Sequence, residues 1–280
     1  MNNRSFRADL HCHTDYSDGV DSPETVLRAA IDKELSGLSI TDHDTVSAYP
    51  VALPLAKELN FPLLPGIELS SAFREESIHI LGYGFSPDSE VIRNFCHRHQ
   101  IRRTARNRAI LAKLKELGIV ITEEELNAVS GNSVGRPHIA NLMIERRVVS
   151  TVKEAFKKYL AEGKSAYVPG NRMTVEETIE CIHQAGGLAV LAHPQLIKRT
   201  SVIRDLLGFP FDGVEAYYAR LYPAQEQKWV EIAEKRGWII TGGSDYHGTN
   251  KPLNKLGSSW VGEETFQHLY DHYLKTVKSS

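Results

Sequence analysis

Short apolar runs at 6–11, 37–41, 61–68 and 77–83, each bounded by Gly, Pro, Asp or Ser, alternate with stretches of helical spacing at 23–35, behind a Ser22 cap, and at 46–59. Runs of this length and punctuation read as buried strands, and the stretches between them as helices with one apolar face. The same rhythm returns toward the C-terminus, with helices at 174–185, 222–236 and 263–275 and strands at 188–192, 213–217 and 238–242. Such alternation predicts an α/β layer or barrel. Between 88 and 165 the period is helical throughout, at 89–117, 122–129, 136–147 and 151–162, with no strand. The expected organisation is one α/β unit built from 1–87 and 166–280, interrupted at 88–165 by a helical insertion that serves as a lid.

Composition changes this picture little. The formal charge of −2 gives no global attraction to nucleic acid or to anionic membranes, so any site for a polyanion has to be local. The cysteines Cys12, Cys96 and Cys181 are odd in number, far apart and without C-x-x-C spacing, which points away from a disulfide framework or zinc knuckle and toward a reducing, cytoplasmic setting. The opening MNNRSFRADLHCH has no apolar stretch of the signal-peptide kind, and no run is long enough to span a bilayer.

The chemistry is concentrated at strand ends. His11-Cys12-His13 closes the first predicted strand, where residues two apart share a face and can grip one ion. Asp18 follows, then Thr41-Asp42-His43 after the second strand, Gly66-Ile67-Glu68 after the third and His79 on the fourth. Ala192-His193-Pro194 and Ser244-Asp245-Tyr246-His247 repeat the habit in the C-terminal half. Packing alone gives no reason for such recurrence, and strand C-terminal ends are where α/β barrels assemble their active groups. Imidazole and carboxylate without thiolate suit Mn²⁺, Fe²⁺ or Zn²⁺, and there are more donors than one ion can use.

Together these motifs resemble the polymerase and histidinol phosphatase (PHP) superfamily nearly end to end. The resemblance implies an α/β fold, a distorted (β/α)7 barrel with a helical insertion, and two or three divalent ions, Mn²⁺ first. It implies His11, His13, Glu68 and Asp245 on one ion, Glu68 bridging to a second with His79 and His193, and Asp18, His43 and His247 on a third. Clustered ions of this kind activate a water for attack on phosphorus, which makes Glu68, Asp245 and His193 the positions expected to carry catalysis.

Gly135-Arg136-Pro137-His138 in the insertion and Tyr167-Val168-Pro169 beyond it resemble the branch that holds nucleoside 3′,5′-bisphosphate phosphatases and a 5′-to-3′ exoribonuclease trimming short RNA. By that resemblance Arg136 and His138 bind phosphate, which a guanidinium fork and an imidazole N–H can do; Asn132, Ser133 and Lys164 are weaker candidates. The expected substrate is a nucleotide or short single-stranded RNA, with no membrane and no obligate protein partner. The run from Val91 to Lys115 carries eight Lys or Arg and no acid, with Arg98, Arg102 and Arg106 on one helical face. Such a stripe can track an RNA backbone or simply face water. His97, His99, His183, His268 and His272, on predicted helices, read as surface or packing residues. The competing readings are a small-metabolite phosphatase of the histidinol phosphate type and a non-catalytic nucleic-acid-binding module stabilised by metal.

Overall fold

A computed structural model describes residues 5–128, 134–169 and 173–279. In chain order the elements are β1 (Ala8–Cys12), α1 (Pro23–Asp32), β2 (Gly37–Ile40), α2 (Tyr49–Glu58), β3 (Gly66–Phe73), β4 (Glu76–Tyr83), α3 (Glu90–Glu116), α4 (Glu123–Ala128), α5 (Arg136–Glu145), α6 (Val152–Ala155), β5 (Met173–Thr174), α7 (Val175–Gln184), β6 (Leu188–Leu191), α8 (Thr200–Leu206), β7 (Gly213–Tyr218), α9 (Pro223–Arg236), β8 (Ile239–Gly243) and α10 (Glu263–Ser279). The helix starts obey local rules. Ser22 accepts from Thr25 N with Pro23 as the first helical residue of α1, and Thr174 and Glu177 form a reciprocal capping box on α7. Among the described residues no helix is long and apolar enough to cross a membrane.

The expectation of an α/β fold holds, but the strands do not close into one continuous ring. β1 and β2 form a parallel pair of their own, and the other six lie in the order β5-β3-β4-β6-β7-β8. Single bridges link the two sheets: His43 to Glu68 on one side and Cys12 to Tyr246 on the other. Two sequence features account for much of the departure. Pro62 and Pro65 lack the N–H that a ladder requires, so the apolar run expected as a strand at 61–68 meets β2 only through Leu38 and Leu63, and β3 starts at Gly66. β4 then returns antiparallel to β3 after a two-residue turn in which Arg74 and Glu75 both have positive φ. His79 therefore comes from the middle of an antiparallel strand, opposite Ser70. The two-residue β5 and the helix α8 were not anticipated, whereas 84–172 contains no strand among its described residues.

The sheets and most of their flanking helices share one main apolar core, in which Ile40, Ile67, Leu69, Ile80 and Leu191 are fully buried, with a satellite of Leu10, Leu81, Tyr83 and Val190 packed on Phe266 and Leu269 of α10. The helices after β4 pack on a separate core of Ile110, Leu114, Leu126, Ile139, Met143 and Leu160. α3, roughly 40 Å long at the usual helical rise, joins the two: Ile92 and Phe95 enter the first core, Ile110 and Leu114 the second. Its middle, between these anchors, carries arginines of which Arg103 reaches Asp44 and Ser70 of β3 and Arg102 reaches Met173 of β5.

Candidate metal centre

β1 places His11 and His13 on one face, while Cys12 between them is buried on the other, its thiol donating to the Ser39 carbonyl at 3.2 Å. β8 comes unusually close behind them. A Cβ on Gly243 would lie 2.4 Å from both the Cβ and the backbone N of His11, so only glycine permits the approach.

Glu68 is the hub. Its Oε2 lies 3.3 Å from His11 Nε2, 3.1 Å from His13 Nε2 and 3.2 Å from His43 Nδ1, and its Oε1 lies 2.8 Å from both His79 Nδ1 and His193 Nε2. Asp245 Oδ1 stands 3.5 Å from His11 Nε2 and 3.4 Å from His13 Nε2. Asp18 Oδ1 is 3.1 Å from His247 Nε2 and 3.9 Å from His43 Nε2. Every ligand position nominated from the sequence thus enters one cluster. Its donors fall into the sets His11, His13, Glu68, Asp245; His43, Glu68, His79; and His13, Asp18, His43, His247, the atoms of each lying within 4.8 Å of one another. His43 belongs to two sets, and His193 reaches the cluster through Glu68 Oε1.

The donor set fits divalent cations. His11 Nδ1 sits 2.8 Å from Glu215 Oε1, to which it donates, so its Nε2 turns a lone pair toward His13 Nε2 at 3.1 Å. His247 Nδ1 likewise donates to the Asp245 carbonyl at 3.0 Å. Asp18 Oδ1, His43 Nδ1, Glu68 Oε2 and His247 Nε2 are buried without a hydrogen-bond partner. Acceptors crowded together at this depth require a proton or a cation between them. Protons compete for the place: burial pushes the His13 pKa down, but the hydrogen bonds of Asp245 and Glu68 draw it up to about 9. Burial raises the carboxyls of Glu68 and Asp245, yet the surrounding histidines, with Lys251 at Asp245, hold both well below the ordinary range.

A supporting ring of residues escaped the sequence reading. Glu215 accepts from the His11 ring on one oxygen and from His193 N on the other at 2.8 Å. Asp9 accepts from the backbone of His11, Ser244 and Gly257, tying β1 to the segment after β8. Tyr218 OH at 2.7 Å and Lys251 Nζ at 2.8 Å fix Asp245 Oδ2, leaving Oδ1 for the cluster. The backbone is strained where it delivers ligands: His193 has φ 24° and Asp245 φ 52°. Such conformations cost roughly 1–3 kcal/mol each and persist where surrounding contacts enforce them. Since glutamine has one carbonyl oxygen for two donors, Glu215→Gln is expected to weaken metal affinity by about 10- to 100-fold, the usual effect of removing a partner behind a ligating histidine. Calorimetric titration with Mn²⁺ checks this; unchanged affinity would show that His11 and His193 are oriented without Glu215.

The cluster opens into a cleft of about 180 Å³, lined by Asp18, His43 and His79 of the cluster together with Arg102, Arg103, Arg106, Arg136 and Phe156. Arg136 lies over the Phe156 ring at 5.5 Å, with Nη1 3.3 Å from the Leu160 carbonyl. His138, expected beside it, is buried and takes the Gly135 N–H on Nδ1 at 3.0 Å, outside the cleft lining. Burial lowers its pKa, opposed by nearby Asp18. Lys164 is exposed and away from the cleft, and Asn132 and Ser133 lie outside the described residues. Of the helical histidines, His97 and His268 are exposed, His183 pairs with Asp212, and His272 meets the Gly186 carbonyl. His99 departs from the group: it is buried and forms part of the cleft wall. Asp42, inside the Thr41-Asp42-His43 motif, turns away from the cluster and holds Thr14 and Ser17.

Comparison with known proteins agrees with this geometry. The PHP domain family matches residues 9–176. The chain is 34% identical over 249 residues to the 5′-3′ exoribonuclease Rnm of Salmonella typhimurium, covering 85% of this chain and 84% of that one. It is 29% identical over 256 residues to the 3′,5′-nucleoside bisphosphate phosphatase of Chromobacterium violaceum, covering 89% and 90%. A crystal structure from Bifidobacterium adolescentis, named as a candidate metal-dependent phosphoesterase, superposes with a TM-score of 0.86 at 29% identity over 95% of this chain and 96% of that one. The matched family region supplies the ligands through His79, and the later strands add His193, Asp245 and His247 to the same cluster. The chain belongs to the PHP domain family, and its chemistry is that of a metal-dependent phosphoesterase.

Proposed function

We propose that the protein hydrolyses phosphate esters of nucleotides, as nucleoside 3′,5′-bisphosphate or AMP-like substrates, or trims short RNA from its 5′ end. One observation carries the reading: a single cleft is lined both by members of the donor cluster, Asp18, His43 and His79, and by Arg102, Arg106 and Arg136, so a phosphoryl group bound there meets guanidinium groups and metal ligands together. The relatives named as acting on RNA and on nucleoside bisphosphates support the substrate class. Mn²⁺ is the first choice of ion, in two or three places corresponding to the donor sets. We read the two bridged sheets as a distorted barrel, 1–87 and 166–280, with 88–165 as the lid that brings Arg136 over its open end.

Divalent ions, once bound, supply Lewis acidity, neutralising phosphoryl oxygens and lowering the pKa of water toward neutrality. The chain's own residues do the rest. Glu68 gathers five imidazoles around its two oxygens, and Asp245, clamped by Tyr218 and Lys251, presents one oxygen to the same face. His193 is held at the rim by Glu215 and the strained backbone before Pro194. Arg136, stacked on Phe156, orients the phosphoryl group and offsets its charge, and His138 steadies the start of α5 beneath it.

The test is product release by the Mn²⁺-loaded protein from adenosine 3′,5′-bisphosphate, AMP, a 5′-phosphorylated RNA pentamer, histidinol phosphate and a generic aryl phosphate. A nucleotide or the RNA is expected to exceed histidinol phosphate in kcat/KM by at least about tenfold. Arg136→Ala should lower kcat/KM by about 10- to 100-fold, the scale of one charge-assisted fork on phosphate. Preference for histidinol phosphate would replace this reading with a metabolite phosphatase; RNA binding that survives chelation, with no hydrolysis of any substrate, would replace it with a binding module.

A further inference from the structure

The reacting phosphoryl group accounts for only part of the cleft's positive wall. Arg136 comes from α5, whereas Arg102 and Arg106, four residues apart on α3, present a second cationic face to the same space. Arg103, between them, is committed to Asp44, which also takes the Ser70 N–H and hydroxyl. The Arg102 guanidinium lies against Met173 Sδ, an uncharged contact that leaves its charge uncancelled. No Asp or Glu occurs between Val91 and Lys115 to offset these arginines from within the helix.

His99, one turn before them on the same helix, completes the wall. It is only 7% exposed, its Nδ1 stands 3.5 Å from Asp44 Oδ1, and its Nε2 is buried with no hydrogen-bond partner while the residue lines the cleft. A buried ring nitrogen without a hydrogen-bond partner, on a residue that lines a cleft, calls for a ligand that can complete its bonding. Phosphate oxygens do so by accepting from an imidazolium, and the acid form of a phosphomonoester, though not a phosphodiester, also donates to a neutral ring.

We infer that His99, Arg102 and Arg106, with Ser77 of β4 at the rim, form a second phosphate subsite that holds the phosphate group not being hydrolysed. That group is the other phosphate of a nucleoside bisphosphate or the next phosphodiester of an RNA chain. The inference rests on the phosphoesterase reading above and adds what it lacks, a reason for two-phosphate substrates to be chosen over one-phosphate ones. It also confines the basic stripe: Arg98 is exposed, lies over the Phe95 ring at 5.1 Å and is absent from the cleft lining, so the contact is one phosphate long rather than a track along the helix.

The experiment is calorimetric titration of the full chain, with chelator present to suppress turnover, using adenosine 3′,5′-bisphosphate and AMP as probes. Wild type is expected to bind the bisphosphate at least about tenfold more tightly than AMP, the increment of one added charge-assisted contact. Arg102→Gln with Arg106→Gln should bring that ratio close to one, and His99→Asn should reduce it in part. Equal affinity for the two probes in wild type overturns the inference, as does a ratio unchanged in a folded double variant. If the double variant loses its cooperative thermal transition, the single substitutions Arg102→Gln and Arg106→Gln are read by the same ratio. Hydrolysis by the Mn²⁺-loaded wild type is scored separately, so a protein that binds with the expected ratio yet cleaves no nucleotide or RNA sinks the functional reading and leaves the subsite standing.

Discussion

Glu68→Gln is expected to reduce phosphoester hydrolysis by on the order of 10³-fold or more, because it removes the carboxylate that two of the three donor sets share and that also touches His13 and His43 of the third. The carboxylate touches His11, His13, His43, His79 and His193, and every one of those distances lies between 2.8 and 3.3 Å. Glutamine keeps the shape but carries no charge and replaces one ligating oxygen with an N–H₂ group that cannot bind a cation, so the loss is electrostatic and not one of volume. The fold should survive: Glu68 stands at a junction of polar residues, while the apolar core is built by its neighbours Ile67 and Leu69. Asp245→Asn is the companion variant, since Lys251 and Tyr218 still hold its outer oxygen while the inner one loses its charge. Hydrolysis of an aryl phosphate under Mn²⁺, metal content after desalting and the thermal midpoint together decide the matter. Full activity in both variants would remove Glu68 and Asp245 from the centre, and loss of activity through unfolding alone would show in the midpoint.

The parts of this site that could be read from sequence were those whose chemistry repeats locally. His11 and His13 are two residues apart, Asp245 and His247 are two apart, and each lies where an apolar run stops, so residue type and strand period suffice to place them. Glu215 offered no such pattern. It sits inside the buried strand Gly213–Tyr218, and its partner His11 is 204 positions away. A lone acid among the buried residues of a strand was the available signal, since a charge is buried only where it is paired, and Asp9 in β1 gives the same signal. The open sheet was hidden for another reason. The β3–β4 turn uses Arg74 and Glu75 at positive φ in place of Asn-Gly, so nothing in its composition announces a hairpin. His99, read as a surface or packing residue, is buried beside Asp44, and its place in the cleft wall could not be read from its helix because Asp44 and the rest of the cleft come from other elements.

Asp44→Ala is expected to destabilise the folded protein by about 3–5 kcal/mol, the cost of breaking a buried ion pair from one side. Asp44 is 5% exposed and lies at φ 56°, immediately after His43, where its carboxylate accepts from Ser70 N at 2.7 Å and Ser70 Oγ at 2.9 Å and pairs with Arg103. Removing it leaves the Arg103 guanidinium, the Ser70 N–H and His99 without their acceptor. The pH dependence gives an independent check. Burial pushes the Asp44 pKa up, but His99 and Arg103 bring it below its ordinary value of 3.8. A depressed carboxyl stabilises the fold fully above its unfolded pKa and progressively less as pH falls through the folded one. The difference in urea unfolding free energy between wild type and Asp44→Ala should therefore be constant above pH 3.8 and shrink below it. A difference under about 1 kcal/mol at neutral pH, the value of an exposed pair, would mean that Asp44 does not lock β3 to α3. If the larger value is found, Mn²⁺ affinity should fall with it, because His43 reaches two donor sets from a backbone that Asp44 anchors on the next residue.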